Sequence, residues 1–258
     1  EAGDPRIATA LSAVLDEDLP ELRDQPGYAP RGLPALRRAV ADHHTRHGLP
    51  TSPDQVLITT GTQQAISLAA QLLLDRGATV AVESPSWPGC FDTFSAVGAR
   101  MVGVPLDDDG LRTDRLREVL DAEPVSALFV MPTFHNPTGT LMSATRRREV
   151  AEVAAQRGVP VVEDLAYSTA LTAPSSHPPP LAAFTPDAGR VLTVGSLSKA
   201  LWAGLRVGWV RASAADVERL GLLKANADMG TPLLEQAVAA RLLPDLPALA
   251  ADRTADAR

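Results

Sequence analysis

The chain has 258 residues, 45% of them hydrophobic, and a formal net charge of −7 at pH 7. That composition describes a globular chain, and the acidic balance excludes a nucleic-acid binder held by diffuse positive charge. Of the 24 basic side chains only two are lysines, Lys199 and Lys224, so chemistry that needs a lysine amine has two places to reside.

The single cysteine, Cys90, cannot form an internal disulfide, which points to a reducing, cytoplasmic compartment. No apolar run approaches the roughly 18–20 residues of a membrane span, and no cleavable signal pattern opens the chain. Its first residue is Glu1 and not a methionine, which leaves room for an upstream segment.

In chain order, residues 1–50 predict an N-terminal arm, rich in Pro and Gly, followed by a helix over about Pro34–His47. Residues 51–211 then alternate. Short apolar runs predict buried strands at Val56–Thr59, Thr79–Glu83, Arg100–Val104, Ala127–Met131, Val159–Glu163, Val191–Val194 and Arg206–Val210. Helical spacing appears between them at Gln63–Leu74, Leu111–Leu120 and Ser143–Arg157, the last ending at Gly158. This alternation predicts an α/β domain around a mostly parallel seven-stranded sheet flanked by helices. Residues 172–189, rich in Pro, Ser and Ala, read as a surface loop. Residues 212–258 turn helical over Ala214–Ala227 and Leu233–Leu243 and run into Ala-rich, charged residues without returning to strands.

Gly195-Ser196-Leu197-Ser198-Lys199 follows a predicted strand directly, and α/β sheets place ligands in such loops. A Ser-x-x-Lys nucleophile of the penicillin-binding type needs Ser-Asp-Asn and Lys-Thr-Gly partners, and neither tripeptide occurs. An imine-forming lysine fits better. A carbonyl cofactor such as pyridoxal phosphate needs an amine, an acid for its ring nitrogen and an anion site. Asp164 stands at a strand end as the acid. Thr60-Gly61-Thr62-Gln63 lies between a strand and a helix, where free N–H groups favour an anion, and Ser196, Ser198 and Arg206 can complete that site. Singly, each has an ordinary reading: Asp164 as a helix cap, Gly61 as a tight turn, Arg206 as a surface ion pair, Lys199 as a surface lysine.

The ordered set Tyr28 with Gly32-Leu33-Pro34-Ala35-Leu36-Arg37, Thr60-Gly61-Thr62-Gln63-Gln64-Ala65, Ser84-Pro85-Ser86-Trp87-Pro88-Gly89, His135-Asn136-Pro137-Thr138-Gly139, Asp164-Leu165-Ala166-Tyr167, Ser196-Leu197-Ser198-Lys199 and Gly204-Leu205-Arg206-Val207-Gly208 resembles the fold-type I pyridoxal-phosphate enzymes of the class I/II aminotransferase superfamily. The resemblance implies that residues 51–211 form a large pyridoxal 5'-phosphate-binding domain and that residues 212–258 begin a C-terminal small domain. It implies that Lys199 is the Schiff-base lysine and proton shuttle and Asp164 the partner of the pyridinium nitrogen. Asn136 and Tyr167 match groups on the phenolic oxygen, and Trp87 the aromatic stacked on the ring. Gly61, Thr62, Gln63, Ser196, Ser198 and Arg206 match the phosphate site. Tyr28 resembles a tyrosine that reaches the phosphate of the other subunit, which implies a homodimer. The implied function is transfer of an amino group from an amino acid or amine, with the substrate-carboxylate arginine expected beyond Arg258.

Val194–Val210 and Val162-Glu163-Asp164 also resemble the aminotransferase-like domain of MocR-type (GntR family) transcription regulators. In that alternative the site senses an effector, and DNA is bound only through a segment absent from this chain.

Other signals read as structural. His43 and His47 have zinc-like i, i+4 spacing, yet no third ligand accompanies them, and solvent-facing histidines are expected. Asp107-Asp108-Asp109-Gly110 reads as a turn into a helix, and Arg146-Arg147-Arg148 as a solvated helix face. Cys90 reads as packing and Lys224 as a surface residue.

Overall fold

The structure, a computed structural model, describes residues 4–168, 177–186 and 189–246. The chain divides into two compact units. Unit 1 comprises residues 1–65, 166–176 and 195–258, and unit 2 comprises 66–165 and 177–194.

Unit 2 is the parallel sheet. Strands β2 (Thr79–Ser84), β3 (Arg100–Asp107), β5 (Val125–Val130), β6 (Val161–Asp164) and β7 (Val191–Ser196, as far as Val194 in this unit) pair in parallel. A two-residue strand, β4 (Gly110–Leu111), folds back antiparallel on β3 and gives the order β7-β6-β5-β2-β3-β4. The order changes direction between β2 and β5, the kind of switch point beside which open α/β sheets bind ligands at the carboxyl ends of their strands. Helices α5 (Pro88–Ala96), α6 (Thr113–Ala122) and α7 (Ala144–Gln156) connect the strands. The core joins Ala81, Val104 and Leu128 of the sheet to Leu116 of α6 and Val150 of α7. Ser143 caps α7 by accepting the Arg146 N–H.

In unit 1, β1 (Val56–Thr59) pairs antiparallel with β8 (Gly208–Arg211), and β8 lies beside the end of β7. The Leu197 N–H donates to Val207 O where those strands' loops meet. Helices α1 (Arg6–Ala13), α2 (Leu19–Leu22), α3 (Pro34–Arg46), α8 (Ala214–Asp228) and α9 (Leu233–Leu242) surround this ladder. Their core gathers Leu36, Val40, Ile58, Leu201, Trp209 and Val238. Helix α4 (Thr62–Leu73) begins in unit 1 and continues into unit 2.

The α/β class and the mostly parallel sheet match the sequence reading, with eight strands among the described residues instead of seven; the added one is the short β4. Helices α1, α2 and α5 were not expected, because Pro and Gly dilute the helical pattern around them. Part of the expected 172–189 loop, residues 172–176 and 187–188, lies outside the described residues. The remainder is not wholly surface. Leu181 opens a short 3-10 turn, Leu181–Phe184, and is buried in the unit 2 core.

Three expectations about surface residues are corrected. His43 and His44 are buried and His47 is half-buried, because they continue the Leu36–Val40 face of α3. The indole N–H of Trp209 donates to His44 Nε2 at 2.9 Å. Burial first, then the charges of Arg211 and His47, holds the His44 pKa down at about 3. Arg147 is fully buried, although Arg148 beside it is exposed. Lys224 is fully buried too. Cys90, by contrast, is packed as expected, and burial pushes its thiol up to about 11.

Candidate active site

The candidate site residues fall on both units. In unit 1, β7 ends at Gly195-Ser196 and the chain turns through Leu197-Ser198 to Lys199. Ser196 Oγ accepts the Ser198 N–H at 3.0 Å and lies 3.0 Å from Ser198 Oγ and 3.1 Å from Val207 O. The serines are thereby locked together, with the Ser198 hydroxyl half-buried at the loop surface. The Lys199 side chain is exposed, and its Nζ stands 5.5 Å from the centroid of the Tyr167 ring, within cation–π range.

Arg206 closes this loop from the other side. It follows a 3-10 turn, Ala203–Leu205, in the left-handed region at φ 51°. Its guanidinium lies against Gly61: a Cβ built there would stand 3.1 Å from Arg206 Nη2, and Gly61 itself has φ +122°. Gly208 admits the same loop more tightly still, since a Cβ on it would fall 2.7 Å from Gly61 Cα. Thr59 Oγ1 donates to Gly61 O at 3.0 Å, and the Thr60 N–H donates to Gln64 Oε1 at 3.0 Å. The turn into α4 is therefore pinned at both ends, beside the exposed Arg206 guanidinium and next to helical N–H groups that have no partner within the helix. Thr62 is half-buried and Gln63 exposed. Tyr28 is 69% exposed.

Unit 2 carries Asp164, Trp87 and Asn136 at the carboxyl ends of β6, β2 and β5. Asp164 is buried, the last residue of β6, paired in register with Val194. Trp87 is half-buried and precedes α5. Asn136 is half-buried in a loop closed by the His135 N–H on Thr140 O and the Gly139 N–H on His135 O. The foot of that loop is held by Arg147, which donates to Pro132 O, Thr133 Oγ1, Met142 O and Pro179 O.

Sequence reasoning missed Glu83, which ends the apolar run of β2. It is buried, accepts the Met131 N–H at 2.7 Å, and has Oε2 3.4 Å from His135 Nε2. Burial pushes its pKa up to about 8 against the Met131 hydrogen bond, with the Asp164 charge adding to the rise. Burial lowers the His135 pKa, so Glu83 and His135 face one another uncharged near neutral pH. The available signal was an acid at the end of an otherwise apolar strand.

Within unit 1 the donor set fits the aldehyde and phosphate of pyridoxal phosphate: an exposed lysine, and a pinned anion turn with an arginine and two serines. No helix among the described residues is long and apolar enough to cross a membrane.

The profile of the family Aminotransferase class I and II matches residues 8–252. The chain is 37% identical over 219 residues to a 2-aminoadipate transaminase of Thermus thermophilus, covering 84% of this chain and 52% of that protein. It is 36% identical over 218 residues to the uncharacterized HTH-type transcriptional regulator YisV of Bacillus subtilis, covering 84% of this chain and 45% of that protein. The chain thus spans about half the length of the curated relatives it matches. Among solved structures it superposes on the α-aminoadipate aminotransferase LysN of Thermus thermophilus, complexed with N-(5'-phosphopyridoxyl)-L-leucine, with a TM-score of 0.83 and 34% identity over 96% of this chain and 65% of that one. The N-succinyldiaminopimelate aminotransferase of Mycobacterium tuberculosis matches with a TM-score of 0.85 and 28% identity, over 99% and 66% of the two chains.

Proposed function

The chain belongs to the class I and II aminotransferase family, and from that premise we propose that it binds pyridoxal 5'-phosphate at Lys199 and transfers an amino group from an amino acid or amine. The observation that carries this reading is the loop of unit 1 in which Lys199 shares a turn with two linked serines, beside an arginine laid against Gly61. Pyridoxal phosphate supplies an aldehyde that captures amines and a ring that draws electrons from the substrate's α-carbon. Lys199 Nζ is the amine that holds it and the base that takes and returns the α-proton. Asp164 keeps a proton at the ring nitrogen, and its burial keeps water from competing for that proton. Asn136 and Tyr167 donate to the phenolic oxygen, and Trp87 covers the ring. Gly61, Thr62, Gln63, Ser196, Ser198 and Arg206 hold the phosphate. The exposed Tyr28 reaches the phosphate of a second copy in a homodimer. In this reading residues 51–211 are the large domain, 1–50 its N-terminal arm and helix, and 212–258 the start of a small domain; the protein works in the cytoplasm.

A second reading rests on the likeness to YisV. There the same residues bind pyridoxal phosphate as an effector-sensing domain, and a separate segment contacts DNA. Incubating the purified protein and pyridoxal phosphate with a panel of amino acids separates the two. Formation of oxo acids supports the transferase. Spectral change on adding amines without any oxo acid supports the sensor, and no binding of pyridoxal phosphate overturns both.

A further inference from the structure

The second lysine is buried directly behind the turn that the proposed function gives to the phosphate. Lys224 Nζ, on α8, donates to Asp228 Oδ2 at 2.7 Å and Oδ1 at 2.9 Å, and to Gln64 Oε1 at 2.9 Å. Gln64 Nε2 donates to Asp228 Oδ2 at 2.6 Å, and Asp228 Oδ1 also accepts the Gly230 N–H at 3.0 Å. The Gln64 amide is thereby fixed in one orientation, its oxygen toward Lys224 and its nitrogen toward Asp228. That same oxygen receives the Thr60 N–H at 3.0 Å. The chain of bonds therefore runs from a buried ammonium, through one side-chain amide, to the backbone of Thr60 beside Gly61.

An ammonium without solvent exposure is costly to bury, and an ion pair in such a place roughly offsets that cost and no more. Stability alone does not account for the arrangement. What the pair does achieve is geometric: with Lys224 removed, the Gln64 oxygen loses its charged donor, the amide is held only by Asp228 and the Thr60 N–H, and the acceptor of that N–H is less firmly placed. Burial lowers the Lys224 pKa, while the hydrogen bond and charge of Asp228 oppose the fall. For Asp228 burial acts upward, yet the bonds from Lys224 and Gln64 outweigh it and its pKa is lowered. The Asp228 shift reflects its contact with Lys224, and the Lys224 shift reflects burial that this contact only partly offsets.

We infer that Lys224 is a positioning residue for the anion turn: acting through Gln64, it fixes the backbone at Thr60–Gly61–Thr62, so that one lysine of the chain captures the cofactor's aldehyde and the other sets the grip on its phosphate. The inference rests on the site reading given under the proposed function. Lys224 touches no atom of the ligand; its effect passes through the turn.

The test compares two ligands. Pyridoxal 5'-phosphate and pyridoxal share the aldehyde and ring and differ in the phosphate. Titrations of the purified protein, followed by absorbance, are run on the unsubstituted chain and on Lys224→Met and Gln64→Leu. Each substitution is expected to weaken pyridoxal phosphate about tenfold, and pyridoxal by less than about twofold. A simple packing role would weaken both ligands alike. Equal losses for the two ligands, or no loss for pyridoxal phosphate, overturn the inference. Should Lys224→Met fail to fold, Gln64→Leu decides alone, because it leaves the Lys224–Asp228 pair in place. An unsubstituted protein that binds no pyridoxal phosphate overturns the site reading, and the inference with it. One that binds, alongside variants of unchanged selectivity, overturns the inference alone.

Discussion

Arg206 and Gly61, far apart in sequence, occupy one another's space: a β-carbon on Gly61 would stand 3.1 Å from Arg206 Nη2 and 3.6 Å from its Cζ. The glycine is needed twice over, for its φ of +122° and for the contact. Gly61→Ala is expected to cost about 1–3 kcal/mol in stability from backbone strain. It is also expected to weaken pyridoxal phosphate binding roughly tenfold or more by displacing the guanidinium. Gly77→Ala is the control. It has φ +87° and nothing within 4 Å, so it carries the strain without the loss of affinity. Equal affinities for the two variants in a cofactor titration would refute the contact's role.

Glu83 makes a pH prediction. Its native pKa, raised to about 8, lies above the unfolded value of 4.5, so the native state holds a proton that the unfolded chain releases. The associated stability is complete below pH 4.5 and is lost as pH rises toward 8. His135 acts in the opposite sense below 6.5, because its pKa is lowered by burial. Between pH 6.5 and 8 only the Glu83 effect remains of the two. Denaturant titrations there should show the wild type losing up to about 1.4 kcal/mol per pH unit relative to Glu83→Gln. Parallel curves for the two proteins would contradict the assignment.

Arg147 is buried with four oxygen acceptors, three of them backbone carbonyls at the foot of the Asn136 loop and the 177–180 segment. Arg147→Met strands all four, at an expected cost of about 3–5 kcal/mol and a fall in melting temperature on the order of 10 °C. Arg147→Lys is expected to recover less than half, because a single ammonium cannot reach a fork's worth of acceptors. Arg148→Met, at an exposed position with its guanidinium 5.2 Å from the centroid of the Phe184 ring, should cost under about 1 kcal/mol. Similar melting temperatures for the Arg147 and Arg148 variants would sink this account.

The strands and the loops that follow them were legible because a buried parallel strand is a run of apolar residues, and the candidate site residues follow close on strand ends. Lys199, Ser196, Ser198 and Asp164 could be located that way. Partners supplied from a distance could not. Nothing near Lys224 announces Gln64, and nothing near His44 announces Trp209. A local signal for burial did exist. Val217, Leu220, Gly221 and Lys224 lie on one helical face, as do Arg147, Val150, Ala151 and Ala154, and Leu36, Val40, His43 and His44. Charge and polarity masked a periodicity that ran straight through those residues. The short β4 escaped because two residues carry no period.

The central claim is that Lys199, and not Lys224, is the amine that holds the cofactor. Borohydride reduction of the protein loaded with pyridoxal phosphate, followed by peptide mapping, tests it most directly. The expected result is a pyridoxyl label on the peptide containing Lys199 alone, with the visible absorption band and the label both lost in Lys199→Ala. A label on the Lys224 peptide, or none on either, would contradict it.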